Sequence, residues 1–191
     1  MAYNIKDVFY LDTSATITKS TAGSGSSQLD LSAYISPIAR GRAKGTGLAV
    51  YKVYWSMVDD DNAGKPWDDE ESGTVQFGLI AGLGQGDNAT GALGATSALY
   101  QMSNDLLISS GSFFGPKSQV GNACSPGMPF PMRTVDPSTE VPYVVVRDNC
   151  TLIYTVGENF IDDYKLSVRL AVAQISLDQA TLNQLLRTQT V

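Results

Sequence analysis

Seven acidic residues fall within residues 59–73, DDDNAGKPWDDEESG, the densest set of groups in the chain that could hold a cation. Hard cations such as Ca²⁺ take about six to eight oxygen ligands from carboxylates and carbonyls. Asp59, Asp61, Gly64 and Glu70 occupy positions 1, 3, 6 and 12 of a Ca²⁺-loop template, which makes Asp59, Asp61 and Glu70 the candidate metal ligands. Position 5 is Ala63, and a strand rather than a helix leads into the loop, so the stretch is not read as an EF-hand. A solvated acidic loop between strands is the competing reading.

Other chemistry is sparse. The chain has no histidine, which excludes Ser-His-Asp and Cys-His catalysis and His-ligated metal sites. Paired carboxylates could cleave glycosides, but the only glutamates are Glu70, Glu71, Glu140 and Glu158, and none has an obvious partner across a strand. Gly82, Gly84 and Gly86 lack the spacing, the lysine and the following helix of a phosphate-cradling loop. Tyr51, Tyr54 and Trp55 could stack on sugars or bases, against the plainer reading that they fill the core and its edge. The expectation is a protein that is not an enzyme and carries no cofactor, with Ca²⁺ as the one candidate ligand.

With 13 Lys and Arg against 19 Asp and Glu, the 191-residue chain has a formal charge of −6, which argues against coating nucleic acid. One basic cluster, Arg40, Arg42 and Lys44, is either a solvated loop before a strand or a contact to phosphates. The start MAYNIKDVFYLDTS is broken by Lys6, Asp7 and Asp12 and does not read as a signal peptide, and no apolar run is long enough to span a bilayer. The sequons at Asn88 and Asn149 are therefore read as chance. Cys124 and Cys150 could form one disulfide, although two free thiols is the preferred reading.

The elements that must position these groups repeat with period two. In residues 48–58, Tyr51, Val53, Trp55 and Met57 share one face while Val50, Lys52, Tyr54 and Ser56 share the other, which predicts a central strand. Residues 164–175 alternate most cleanly, with Tyr164, Leu166, Val168, Leu170 and Val172 on the core side. Further strands are expected at 8–11, 15–19, 29–35, 74–81, 97–102, 106–109, 141–147 and 151–156, with a tight hairpin at Asp148 and Asn149 between the last two. Near the end, Ser176 and Gln179 sit at capping-box spacing ahead of Leu182, Leu185 and Leu186, which predicts a short helix packed on its own domain or on an adjoining subunit. The pattern is all-β, a sandwich or barrel, forming one domain over 1–191 with an N-terminal segment (1–14) and a C-terminal helix or tail (176–191).

About eight strands, a Gly/Ser-rich early hairpin, QLDLSAYISPI before the strand LAVYKVYWSM, and the final YKLSVRLAVAQI together resemble a known family. They are similar to the single jelly-roll major capsid proteins of icosahedral, membrane-containing double-stranded DNA viruses of archaea and bacteria. That resemblance implies a single jelly-roll β-sandwich of two four-stranded sheets standing roughly perpendicular to a shell. It also implies self-assembly of a homo-oligomer or lattice, further capsid proteins as partners, contact with an internal membrane, and no sequence-specific binding of nucleic acid. The protein would be soluble in the host cytoplasm before assembly and reside in the virion afterwards. The first forty residues hold only Lys6, Lys19 and Arg40, unlike the basic arms of many single-stranded RNA virus coats. Candidate assembly contacts are Tyr3, Val8 and Phe9 near the start, Phe130 in the Pro-rich stretch 115–142, and Leu182, Leu185 and Leu186 of the helix. The alternative function is a carbohydrate- or receptor-binding β-sandwich module that uses calcium.

Overall fold

The computed structural model describes residues 8–36, 44–60, 71–82, 97–115, 119–120, 123–124 and 132–189. Two antiparallel sheets pack face to face. The first has the order β1 (Phe9–Ile17), β11 (Tyr164–Asp178), β3 (Lys44–Asp59), β9 (Tyr143–Val145). The second has the order β2 (Gly23–Asp30), β10 (Asn149–Glu158), β4 (Thr74–Ala81), β5 (Leu107–Phe114), β8 (Met132–Val135). A two-stranded ribbon joins β6 (Gln119–Val120) to β7 (Ala123–Cys124). Helix α1 (Gln179–Thr188) follows β11 without a linker.

In chain order the principal strands cross between the sheets: β1 in the first, β2 in the second, β3 back in the first, β4 and β5 in the second, β9, β10 and β11 alternating again. This is the connectivity of a jelly roll, in which paired strands lie far apart in sequence. Between the sheets lies one continuous core. Val53, Trp55, Met57, Phe77, Leu79, Leu152, Leu166, Val168 and Leu170 all belong to it, and none is more than 8% exposed.

Each strand forms where one side can be buried. In β1, Phe9, Leu11 and Ala15 pack on the core while Tyr10 and Asp12 point outward, so 8–11 and 15–19 form one strand rather than two. The inward Thr13 that interrupts the apolar set is satisfied by Ser27 Oγ at 3.0 Å. The next strand is displaced relative to the expectation at 29–35. Its true sequence, GSGSSQLD, has weak β propensity, yet it pairs along its whole length with β10. Gly25 lies opposite Tyr154, and a Cβ there would come within 2.3 Å of the phenol, so only glycine admits the ring. Beyond β2 the chain turns, with Ser32 N–H donating to Asp30 Oδ1 at 2.8 Å.

A bulge corrects the assumed faces of the central strand. Register with β11 shifts between Ala171 and Val172, leaving Tyr51 unpaired between Val50 and Lys52. Before the bulge Leu48 and Val50 face the core; after it Val53, Trp55 and Met57 do. Val50 therefore shares a side with Val53, and Tyr51 turns to the outer side toward Ala49 and Ile175.

Two other expectations are overturned. Residues 141–147 and 151–156 do not make a hairpin, because β9 pairs with β3 in the first sheet and β10 pairs with β2 and β4 in the second. The residues between them cross the edge of the sandwich. In the described part of 97–102, Ser97–Tyr100 form a 3₁₀ turn, not a strand, and Leu99 and Tyr100 pack on Ile80, Leu107 and Ile153 on the outside of the second sheet. Residues 74–81 form β4 as expected, and the strands at 106–109 and 151–156 run longer.

Candidate functional site

Four interstrand connections leave the sandwich at one end and are fastened to each other there. Lys19 N–H donates to Asp163 Oδ1 at 2.6 Å, Ser20 N–H to the Phe160 carbonyl at 2.8 Å, and Asp60 N–H to the Asp163 carbonyl at 2.9 Å. Glu71 is fully buried, and its carboxylate accepts from Gly73 N–H at 2.6 Å and from Ile161 N–H at 3.2 Å. Gly115 N–H closes the set on the Gly73 carbonyl at 2.8 Å. The acidic stretch 59–73 and the Pro-rich stretch 115–142 thus start from the same end of the molecule. Glu71, one of the glutamates weighed for catalysis, is a brace between two connections. No sequence signal separates it from its acidic neighbours.

Asp59 is the last residue of β3, lies opposite Tyr164 and is only 7% exposed. Its strand parity is that of Trp55 and Met57, so it points into the mouth of the sandwich. Asp61 and Glu70 lie outside the described residues. Among the described residues no three Asp, Glu, Cys or His gather in a way that could hold a metal ion.

The helix is positioned by its caps and by an apolar half-face of the first sheet. Its N-cap is Asp178, whose carboxylate accepts from Thr181 N–H at 2.7 Å, rather than the expected Ser176. That bond, reinforced by the Thr181 hydroxyl, holds the Asp178 carboxyl below the usual range. Lys44, exposed at the start of β3 and opposite Asp178 in register, adds a weaker attraction in the same direction. Leu182 is fully buried with Ala49, Val146, Ile175 and Leu177, while Leu185 and Leu186 pack half-buried around them. A Cβ at Gly45 would meet Leu182 at 2.6 Å, so the helix approaches the sheet where β3 has no side chain. At the other end Gln189 bonds the edge strand β9 through its side-chain amide. Its Nε2 donates to the Val144 carbonyl at 2.6 Å, and its Oε1 accepts from Val146 N–H at 3.1 Å.

Of the other candidate contacts, Val8 is 55% exposed, and the Phe9 ring packs 5.0 Å from Tyr34. Tyr3, Phe130, Arg40 and Arg42 lie outside the described residues. Cys150 is a buried free thiol facing the core, and burial pushes its pKa up to about 12. Burial likewise raises Tyr100, to about 12, and Tyr154. These groups are structural.

The outer side of the first sheet away from the helix carries a groove of about 720 Å³ that the sequence reading missed. Cross-strand register builds it. Tyr10 lies opposite Ala171, Asp12 opposite Arg169, and Arg169 opposite Tyr54, with Ser167 opposite Ser56 on the next row. The Tyr10 and Tyr54 rings lie 6.4 Å apart at 59°, and Lys52 Nζ sits 4.9 Å from the Tyr54 ring centre. Tyr54 was among the aromatics picked out, but Trp55 is turned inward, 4.6 Å from Phe77, with its Nε1 donating to Ser109 Oγ at 2.9 Å. Only the pairing of β1 with β11 reveals that Tyr10 is Tyr54's neighbour.

No family model and no curated protein matches the chain. Among solved structures it is similar to a chain in the structure of Turnip Yellow Mosaic Virus at 100 K, at 11% identity and a TM-score of 0.32, over 91% of this chain and 94% of that one. A likeness at that level carries no weight for function.

Proposed function

We propose that the chain is a structural virion protein, a major capsid protein that assembles with copies of itself into an icosahedral shell. The observation that supports this reading is the jelly-roll strand order, one used by viral coats and by lectins, with both long connections leaving from one braced end. Val58 and Ile161, each 42% exposed, lie at that end, where apolar side chains open to solvent suit contact with a neighbouring copy. Lattices of this kind are built from repeated modest contacts summed over many copies. The finer resemblance to coats of membrane-containing DNA viruses is part of the proposal, as is contact of Arg40, Arg42 and Lys44 with lipid phosphates. Further coat proteins would be its partners in the shell.

Negative-stain electron microscopy with mass photometry on the untagged protein tests the reading. Regular shells or discrete large oligomers are expected, and a homogeneous monomer at high concentration would overturn it. The alternative, a carbohydrate- or receptor-binding module, draws on the groove of the first sheet and on Asp59, Asp61 and Glu70 as calcium ligands. For the calcium part the expected sign is thermal stabilisation by added Ca²⁺ that disappears in Asp61→Ala.

A further inference from the structure

The outer side of the first sheet divides into two halves. Along β11 the outward residues Ala173, Ile175 and Leu177 are buried in the half occupied by α1, while Lys165, Ser167 and Arg169 lie in the half with no covering element among the described residues. Within β1, β3 and β11 the outward charged side chains of that open half are Lys52, Lys165, Arg169 and Asp12, all exposed, with Asp60 exposed just beyond Val58, on a chain whose formal charge is −6. Asp12 and Arg169 are direct cross-strand partners, yet neither makes an ion pair or side-chain hydrogen bond among the described residues. Tyr10 shares the row of Ala171 and Tyr54 the row of Asp12 and Arg169, and their rings are 59% and 38% exposed.

We propose that this groove binds a carboxylate-bearing pyranose, an acidic saccharide of the uronic or sialic acid type. A phenol ring offers flat apolar area to the C–H face of a sugar, with a polar rim for its hydroxyls. The Arg169 guanidinium is a planar fork of donors that matches a carboxylate with two parallel bonds. Asp12 accepts from sugar hydroxyls, and Ser56 and Ser167 can donate or accept. Arg169 lines the groove against Asp12, and Lys52, whose Nζ sits 4.9 Å from the Tyr54 ring centre, adds a second cation at its rim, which favours an acidic ring over a neutral one. At about 720 Å³ the groove falls within the range of small-ligand sites, which run from roughly 300 to 1,000 Å³.

The site is independent of shell formation, since it lies on a sheet face of one chain and can be assayed without assembly. Binding of 3′-sialyllactose, a glucuronate disaccharide and lactose to the full chain is measured by saturation-transfer NMR and calorimetry. At least one acidic sugar is expected to bind, with lactose weaker by at least about tenfold, and the two acidic arms distinguish sialic from uronic acid. Arg169→Ala and Tyr54→Ala should each weaken binding by about tenfold or more, whereas Arg187→Ala, the same charge change on the exposed side of α1, should leave it unchanged. The proposal fails if no acidic sugar binds at millimolar concentration, if lactose binds equally, or if Arg187→Ala costs as much as Arg169→Ala. It also fails if Arg169→Ala alters only the sedimentation of the chain, which would make this face a contact between copies.

Discussion

Single side chains in this molecule act through where they are held. Cys150 illustrates this: a thiol nearly inert at neutral pH because its pKa is pushed up to about 12 inside the core. In a Cys124→Ser background, Cys150 should resist a disulfide reagent in the native protein and react fully once urea unfolds it; rapid native labelling would contradict the packing of β10. Asp178 makes a pH-dependent contribution of known sign. Its folded pKa is depressed, so the cap stabilises fully above the unfolded value and loses strength as pH falls through the folded one. Asp178→Ala should therefore lower the melting temperature at pH 7, with the gap to the native chain closing below about pH 4. Asp178→Asn, which caps without a charge, should melt close to the native chain at pH 7 and show no such closure.

At the scale of elements, the last strand and the helix behave as one unit. Because β11 runs directly into α1, and Leu182 fills the space over Gly45, the helix covers apolar surface that would otherwise face water. Leu182→Ala removes a fully buried side chain and should destabilise the fold by about 2–5 kcal/mol, read as a lower urea midpoint at unchanged slope. Deleting α1 outright is a poor test of assembly, since it would uncover Ile175 and Leu177 and also free the β9 backbone groups that Gln189 occupies. The expected capping at Ser176 lies two residues early for a clear reason. Residues 176–178 still pair with β3, and only at Asp178 does the ladder end and leave a carboxylate free to cap.

For the whole molecule, the proposed assembly is tested at the end braced by Glu71 and Asp163. Ile161 is 42% exposed there, so Ile161→Asp should leave the β-type circular dichroism and melting temperature nearly unchanged. The same variant should reduce the yield of large oligomers several-fold in mass photometry. If particles form as before, the contact between copies lies elsewhere, and the groove of the first sheet and the N-terminal segment become the next surfaces to vary.

The clean alternation of residues 164–175 and the leucine spacing after Asp178 made the β-rich architecture and the terminal helix legible in the sequence, because one buried side imposes a period on the residues that line it. The lack of histidine likewise excluded catalysis and metal ligation by imidazole. Pairing was not legible. A jelly roll joins β1 to β11 and β2 to β10, and no local pattern records which distant strand supplies a neighbour. That is why the Gly/Ser-rich segment read as an early hairpin although β1 and β2 lie in different sheets, why Asp148 and Asn149 mimicked a hairpin, and why a bulge at Tyr51 exchanged the faces of β3. Tyr10, Tyr54 and Arg169 come together for the same reason: each projects from a different strand, and only the tertiary register brings them to one groove.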